Sequence, residues 1–204
     1  MVVSTVTSNE TRVEDPKRTR VLEGAMQVFL AYGFSRTTMD DIARAVDISR
    51  PALYLLFRNK ADIFRAVEQD LLRESRANAC AALRGEGAFS DRLLAALDQA
   101  LFRLLRKIHE SPHGDELLDF NNQIAADLVA EWRQFMIQCF AKSIGEEAKR
   151  RGAKLEEQGL SAQSLAEMLF DLLAGLKVRG TRGLQAEPHC RRFIYLIELA
   201  LDQK

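Results

Sequence analysis

Cysteine and proline are scarce in this 204-residue chain, which has three Cys and four Pro. The cysteines are Cys80, Cys139 and Cys190, and none of them has the CxxC or Cys-His spacing of a zinc site. An odd number of widely separated thiols argues against a disulfide framework. A reduced, cytoplasmic protein with free thiols and no structural metal is therefore expected.

Long hydrophobic runs and strand-like patterns are also absent. No apolar run reaches the length of roughly 18 residues that a membrane-spanning helix needs, so no membrane span is expected. Alternation of Val, Ile or Thr does not recur, whereas Leu and Ala dominate the apolar positions. The periodicity predicts an all-α fold of about nine helices.

No catalytic constellation is visible in the sequence. There is no nucleophile-base-acid set, no glycine-rich phosphate loop and no metal-ligand cluster, so neither an enzyme nor a cofactor is predicted. His109 and His113 have the four-residue spacing of helical metal ligands, but Pro112 lies between them and should break that helix. A metal site is therefore not predicted.

The charge of the chain is balanced overall and only weakly polarised along it. Lys and Arg together number 29, as do Asp and Glu. Residues 1–60 hold nine basic and seven acidic residues, a net charge of +2, and the remainder holds 20 and 22, a net of −2. Arg50, Arg58 and Lys60 cluster together, but the charge as a whole is weakly polarised. Any non-specific affinity for DNA should therefore be modest and clearly salt-dependent.

The most informative stretch is residues 36–60, RTTMDDIARAVDISRPALYLLFRNK. Thr38 and Asp41 have the spacing of a capping box that begins a short helix. Asp47 and Ile48 form a turn, and Ser49 caps a second helix whose first turn tolerates a proline. A third cap, Asn59, begins a long helix from about Lys60 to Leu83. Two short helices joined by a tight turn are the layout of a helix-turn-helix DNA reader.

The second short helix has one apolar face and one mixed face. Leu53 and Phe57 are four residues apart and should pack against the preceding helix. The opposite arc carries small, apolar and basic side chains, which suit a major groove, and Arg50 could contact guanine in a bidentate manner. Phosphate oxygens could be met by Thr38, Tyr54 and Lys60. The same pattern also occurs in helical pairs that never meet DNA.

The stretch from about Lys17 to Leu72 resembles the TetR family of bacterial transcriptional regulators. The resemblance is carried by VLEGAMQVFLAYGF, TTMDDIARAVDIS and RPALYLLFRNKADIF at the family's spacing. It implies a DNA-binding domain, a helical ligand and dimer domain, and a homodimeric repressor on a palindromic operator. The DNA contacts that it implies are Thr38, Ser49, Arg50, Pro51, Ala52, Tyr54 and Lys60.

Two positions depart from the family pattern. Leu56 stands where a His or Tyr often touches phosphate, so Leu56 either packs on sugar or methyl groups or rests on the start of the next helix. Asp47 stands where glycine is more common, so left-handed geometry, which Asp tolerates, is expected at this turn.

The chain is expected to divide into a flexible tail (residues 1–16), a helix-turn-helix domain (17–62) and a helical regulatory and dimerisation domain (63–204). The last two helices are apolar on more than one face. Such a helix must bury both faces, and one of them could pair with a second copy of the chain. The alternative is a larger internal core.

Aromatic and sulfur-containing side chains concentrate where the body helices should meet. They could line a pocket for a small-molecule ligand, or they could simply pack the core. The candidate ligand contacts are Phe102, Phe120, Trp132, Phe135 and Met136. A rival to the regulator hypothesis is a helical partner-binding protein whose helix-turn-helix no longer binds DNA.

Overall fold

The computed structural model describes residues 15–179 and 185–203, without the side chains of residues 115 and 119–122. Residues 1–14 of the predicted tail and the side chain of Phe120 lie outside this description. The regular structure in the described part is helical. Its α-helices are α1 (Pro16–Tyr32), α2 (Met39–Ala45), α3 (Arg50–Leu56), α4 (Lys60–Leu83), α5 (Phe89–Leu97), α6 (Arg103–His109), α7 (Gly114–Ile124), α8 (Ala126–Arg151), α9 (Ala162–Val178) and α10 (Glu187–Asp202).

A π-helical segment, Asp98–Phe102, joins α5 directly to α6, and a short 3₁₀ helix, Leu155–Gln158, follows α8. If the α5–α6 rod is counted as one helix, the described residues contain nine, and the all-α prediction is confirmed. None of these helices combines the length and the apolar content needed to cross a membrane.

The predicted N-caps form as the sequence indicates. The Thr38 hydroxyl accepts a hydrogen bond from the Asp41 amide, and the Asp41 carboxylate accepts one from the Thr38 amide, which completes the capping box. Ser49 accepts from the amide of Ala52 at 3.3 Å, and Asn59 accepts from that of Asp62 at 2.9 Å. Each bond satisfies an amide that the first helical turn leaves free.

Two hydrophobic cores are arranged along the molecule, and α4 contributes to both of them. The first core joins α1–α4 to Leu117 of α7 and is centred on Phe29, Phe34 and Phe64, whose ring centroids lie 5.3–5.7 Å apart. The second core joins the end of α4 to α5–α10. α4 is thus one continuous helix that links the two cores.

Two polar contacts join the segments around the helix-turn-helix to α7 and α8. Glu116 on α7 accepts a hydrogen bond from the amide of Ser35 at 2.8 Å, and this bond holds the pKa of Glu116 below its usual range. Arg65 on α4 pairs with both carboxylate oxygens of Asp127 and donates to the carbonyl of Ile124. The chain segments that flank the helix-turn-helix are thus bonded to α7 and α8.

The three cysteines are free thiols. The Sγ atoms of Cys80 on α4 and Cys139 on α8 lie 2.8 Å apart, and burial raises the pKa of Cys139 to about 12. The thiol of Cys139 is therefore protonated at neutral pH. No group of three His, Cys, Asp or Glu in the described ranges is placed to hold a metal ion.

Candidate nucleic-acid interface

The turn between α2 and α3 has the geometry predicted for it. Asp47 adopts a left-handed conformation with a φ of 53°, and the amide of Ile48 donates to the carbonyl of Ala43 at 3.0 Å. α1 packs closely against this region, because a Cβ on Gly24 would lie 2.2 Å from Cγ1 of Val46. The two short helices are therefore held in one orientation.

Burial of one face of α3 decides which side chains point outward. Leu53 is fully buried and Phe57 is 3% exposed, as their spacing predicts. The predicted contacts Ser49, Arg50, Pro51 and Tyr54 are exposed, and Ala52 is half-buried. These side chains form one solvent-facing surface, hereafter the α3 arc, and their roles toward DNA stay predictions.

Within the α3 arc, Arg50 is held by two neighbours. Its guanidinium lies 3.3 Å from the Asp40 carboxylate and 3.5 Å from the Tyr54 hydroxyl, and it also lies over the Tyr54 ring. The hydrogen bond to Tyr54 and the charge of Asp40 raise the pKa of Arg50. Because all three groups are solvent-exposed, these contacts are weak and Arg50 can exchange them for a base or a phosphate.

Leu55 and Leu56 differ in their environment. Leu55 is 88% exposed and extends the α3 arc, whereas Leu56 is half-buried and packs against the first core. Leu56 therefore packs in part within its own domain, and the choice between a rest on the start of the next helix and a contact with DNA stays a prediction.

Lys60 has a structural role that sequence reasoning missed. Its ammonium group donates to the carbonyl oxygens of Phe34, Ser35 and Thr37 at 2.8, 3.0 and 2.9 Å, and it lies 4.7 Å from the centroid of the Phe34 ring. These carbonyls belong to the loop that leads into α2. Lys60 therefore joins the start of α4 to the approach of the helix-turn-helix, and a phosphate contact by Lys60 stays a prediction.

Replacing Lys60 with methionine should destabilise the protein by about 2 kcal/mol, since three charge-assisted hydrogen bonds are lost. Urea unfolding followed by circular dichroism measures the change in the free energy of unfolding. Lys154→Met is the matched control, because Lys154 is exposed and its ion pair with nearby Glu157 is exposed as well. Equal stability of the two variants would contradict the structural role of Lys60.

A cavity of about 270 Å³ lies in the body among α4, α6, α7, α8 and α9. Of the predicted ligand contacts, Phe102 and Trp132 line it. Met136 is instead fully buried in the second core, and Phe135 is 38% exposed, with the Arg76 guanidinium 5.1 Å from its ring centroid. The structure therefore brings together only part of the predicted set.

Glu68 of α4 is a cavity residue that was not predicted. It is 7% exposed, and burial raises the pKa of its carboxyl group to about 7. Its spacing from Phe64 and Leu72 could have revealed it, since a carboxylate four residues from each lies on their apolar stripe. Trp132 is fixed beside the cavity by donating to the Ser75 hydroxyl at 2.9 Å, and Ser75 in turn donates to the carbonyl of Ala100 in the π-helical segment.

The last two helices expose several large apolar side chains, hereafter the α9–α10 face. Other apolar residues of these helices, such as Leu169 and Ile197, are buried in the second core. The exposed members are Met168 at 47%, Val178 at 87%, Tyr195 at 62%, Leu196 at 57% and Leu199 at 43%. The two-sided apolar character predicted for these helices is thus present.

Comparison with known proteins identifies similarities at the level of both sequence and fold. Residues 21–67 match the family model described as "Bacterial regulatory proteins, tetR family". This match contains the first core apart from Leu117, together with the turn and the α3 arc. It coincides with most of the stretch on which the sequence resemblance depended.

Similarity to individual proteins extends beyond that segment. The chain is 29% identical to the HTH-type transcriptional regulator YhgD of Bacillus subtilis (strain 168) over 65% of its own length and 69% of that protein. It is 27% identical to the "Probable acrEF/envCD operon repressor" of Escherichia coli (strain K12) over 74% of its length and 60% of that protein. A transcriptional regulator from Rhodococcus sp. Rha1 has the same fold, with a TM-score of 0.66, 16% identity, and coverage of 92% of this chain and 98% of that one.

Proposed function

Because the chain belongs to the TetR family of bacterial DNA-binding regulators, we propose that it is a ligand-responsive repressor that binds a palindromic operator as a homodimer. The observation that carries this proposal is the α3 arc, whose exposed side chains can enter a major groove. The repressor role is supported by the name of the Escherichia coli relative.

In this proposal, the α3 arc and the neighbouring Thr38 together position the protein on DNA and read its sequence. Arg50 contacts a guanine, the apolar and small side chains meet thymine methyl groups, and Thr38, Ser49 and Tyr54 contact phosphates. Pro51 and Ala52 let the start of α3 approach the base edges closely. Residues 17–62 would act as the DNA-binding domain and residues 63–204 as the regulatory and dimerisation domain, in the cytoplasm.

The proposed dimer forms through the α9–α10 face. Exposed aliphatic and aromatic side chains on two neighbouring helices can pack against the same face of a second copy in a four-helix bundle. The two-fold axis through that bundle would fix the separation between the two α3 arcs. Binding requires that this separation match half-sites one helical turn of DNA, about 34–36 Å, or a multiple of it apart.

Ligand response would act through α4 and α7, which border both the cavity and the first core. Glu68 of α4 and Leu117 of α7 line the cavity, and Leu117 also packs in the first core. Glu116 is hydrogen-bonded to the loop before α2. A ligand that displaces α7 would therefore also move the helix-turn-helix. A ligand that binds better to dimers with one separation of the two α3 arcs shifts the population of dimers toward that separation. The affinity for the operator changes as a result.

The direct test is a binding series with DNA. The purified protein should bind DNA from upstream of its own gene more tightly than random duplex of equal length, and footprinting should show a palindromic site. Affinity for both should fall as salt rises, while the preference for the specific site persists. Equal affinity for both duplexes throughout the salt series would refute the proposed function.

A further inference from the structure

We propose that the cavity binds a small lipophilic cation, an amine-type molecule with an apolar body, whose positive charge is neutralised by Glu68. The inference rests on the proposed function, because it names the ligand class for the same regulatory cavity. It goes beyond that function in assigning a recognition residue and the sign of the ligand's charge.

The first observation concerns the bonding of the buried Glu68 carboxyl group. None of the side chains that the structure describes donates a hydrogen bond or forms an ion pair to this carboxyl group, and burial raises its pKa. Burying an acidic group without a partner costs stability. A cationic ligand would supply the missing partner and would favour the ionised carboxylate.

The second observation concerns the other charged or titratable side chains that line the described part of the cavity, each of which already has a partner. Arg133 is paired with Asp171 at 2.7 Å, and Nδ1 of His109 is bonded to the carbonyl of Leu105 at 2.8 Å. Lys177 also has a partner of its own. The uncompensated charge is therefore negative, which favours a cation over an anionic ligand.

The third observation is the size and character of the walls. A volume of about 270 Å³ is close to the lower end of known ligand pockets, roughly 300–1,000 Å³. Most of the lining is aliphatic or aromatic, including Leu72, Leu105, Trp132 and Phe170. These walls suit a compact apolar body that carries a single amine.

The test uses the single tryptophan of the chain as a reporter, since Trp132 borders the cavity. Phenylbutylamine, phenylbutanol and phenylbutanoate have nearly the same shape and differ in charge. Titration of the full-length protein, followed by Trp132 emission at pH 8, should show tightest binding of the amine and weakest binding of the acid. Glu68→Gln should weaken amine binding about 30-fold or more and leave alcohol binding nearly unchanged.

Glu74→Gln is the matched control, because Glu74 is exposed on the same helix. It should bind all three probes like the wild type, and thermal melts should confirm that both variants are folded. The inference is overturned if amine and alcohol bind the wild type equally, if Glu68→Gln keeps the amine preference, or if millimolar amine gives no saturable signal. Because the assay contains no DNA, its result is separate from that of the operator test.

Discussion

Replacing both Arg50 and Tyr54 with alanine is expected to lower affinity for the operator about 100-fold or more. Arg50 is the cation of the α3 arc, and Tyr54 is the aromatic group that lies beneath its guanidinium. The double change removes a base contact, a phosphate contact and the neighbour that orients the arginine. Non-specific binding should fall much less, because the remaining basic residues still meet phosphates.

The fold should survive this change. Arg50 and Tyr54 are exposed, and the face of α3 that packs on the first core is formed by Leu53 and Phe57. Surface substitutions away from caps and cores usually change the free energy of unfolding by no more than about 0.5 kcal/mol. Sedimentation velocity should therefore report the same oligomer as the wild type.

Arg73→Ala is the control for the loss of one positive charge. The side chain of Arg73 is 61% exposed and paired with Asp70, and that of Arg50 is 58% exposed and paired with Asp40. Fluorescence anisotropy with labelled operator and with scrambled duplex measures the DNA affinities of the wild type, the double variant and Arg73→Ala. If the double variant keeps wild-type discrimination, the helix-turn-helix does not read DNA in the proposed way, and the partner-binding alternative gains support.

Placing a charge on the α9–α10 face should have the second large effect. Tyr195→Glu is expected to weaken the homodimer about 1,000-fold, because a two-fold interface would bury the new carboxylate twice. Each monomer would keep its fold, since Tyr195 is 62% exposed. Operator affinity should fall with the dimer, because a single α3 arc reads only one half-site.

Tyr32→Glu is a matched control for the assembly, because Tyr32 lies on α1 and is 61% exposed. Light scattering across a concentration series should give a dimer for the wild type and Tyr32→Glu, and a monomer for Tyr195→Glu. A Tyr195→Glu protein that keeps the dimer mass would show that the interface lies elsewhere. A wild type that is monomeric at all concentrations would remove the homodimer from the proposed function.

Several features could be predicted because they depend on neighbouring residues. The caps at Thr38, Ser49 and Asn59 join a side chain to an amide three residues later, so their spacing in the sequence is enough. The left-handed Asp47 and the burial of Leu53 and Phe57 follow from turn chemistry and helical periodicity. For these reasons the sequence by itself determined the all-α class, the helix-turn-helix and the composition of the α3 arc.

Only the tertiary structure decided which distant groups meet. Lys60 bonds to carbonyls 23–26 residues earlier, and Glu116 bonds to an amide 81 residues earlier, and no local spacing encodes either contact. The same holds for the lining of the cavity. Trp132 lines it and Met136 does not, although the two residues are four positions apart on α8. Which side of α8 faces the cavity depends on how the surrounding helices pack, and packing is a property of the folded molecule.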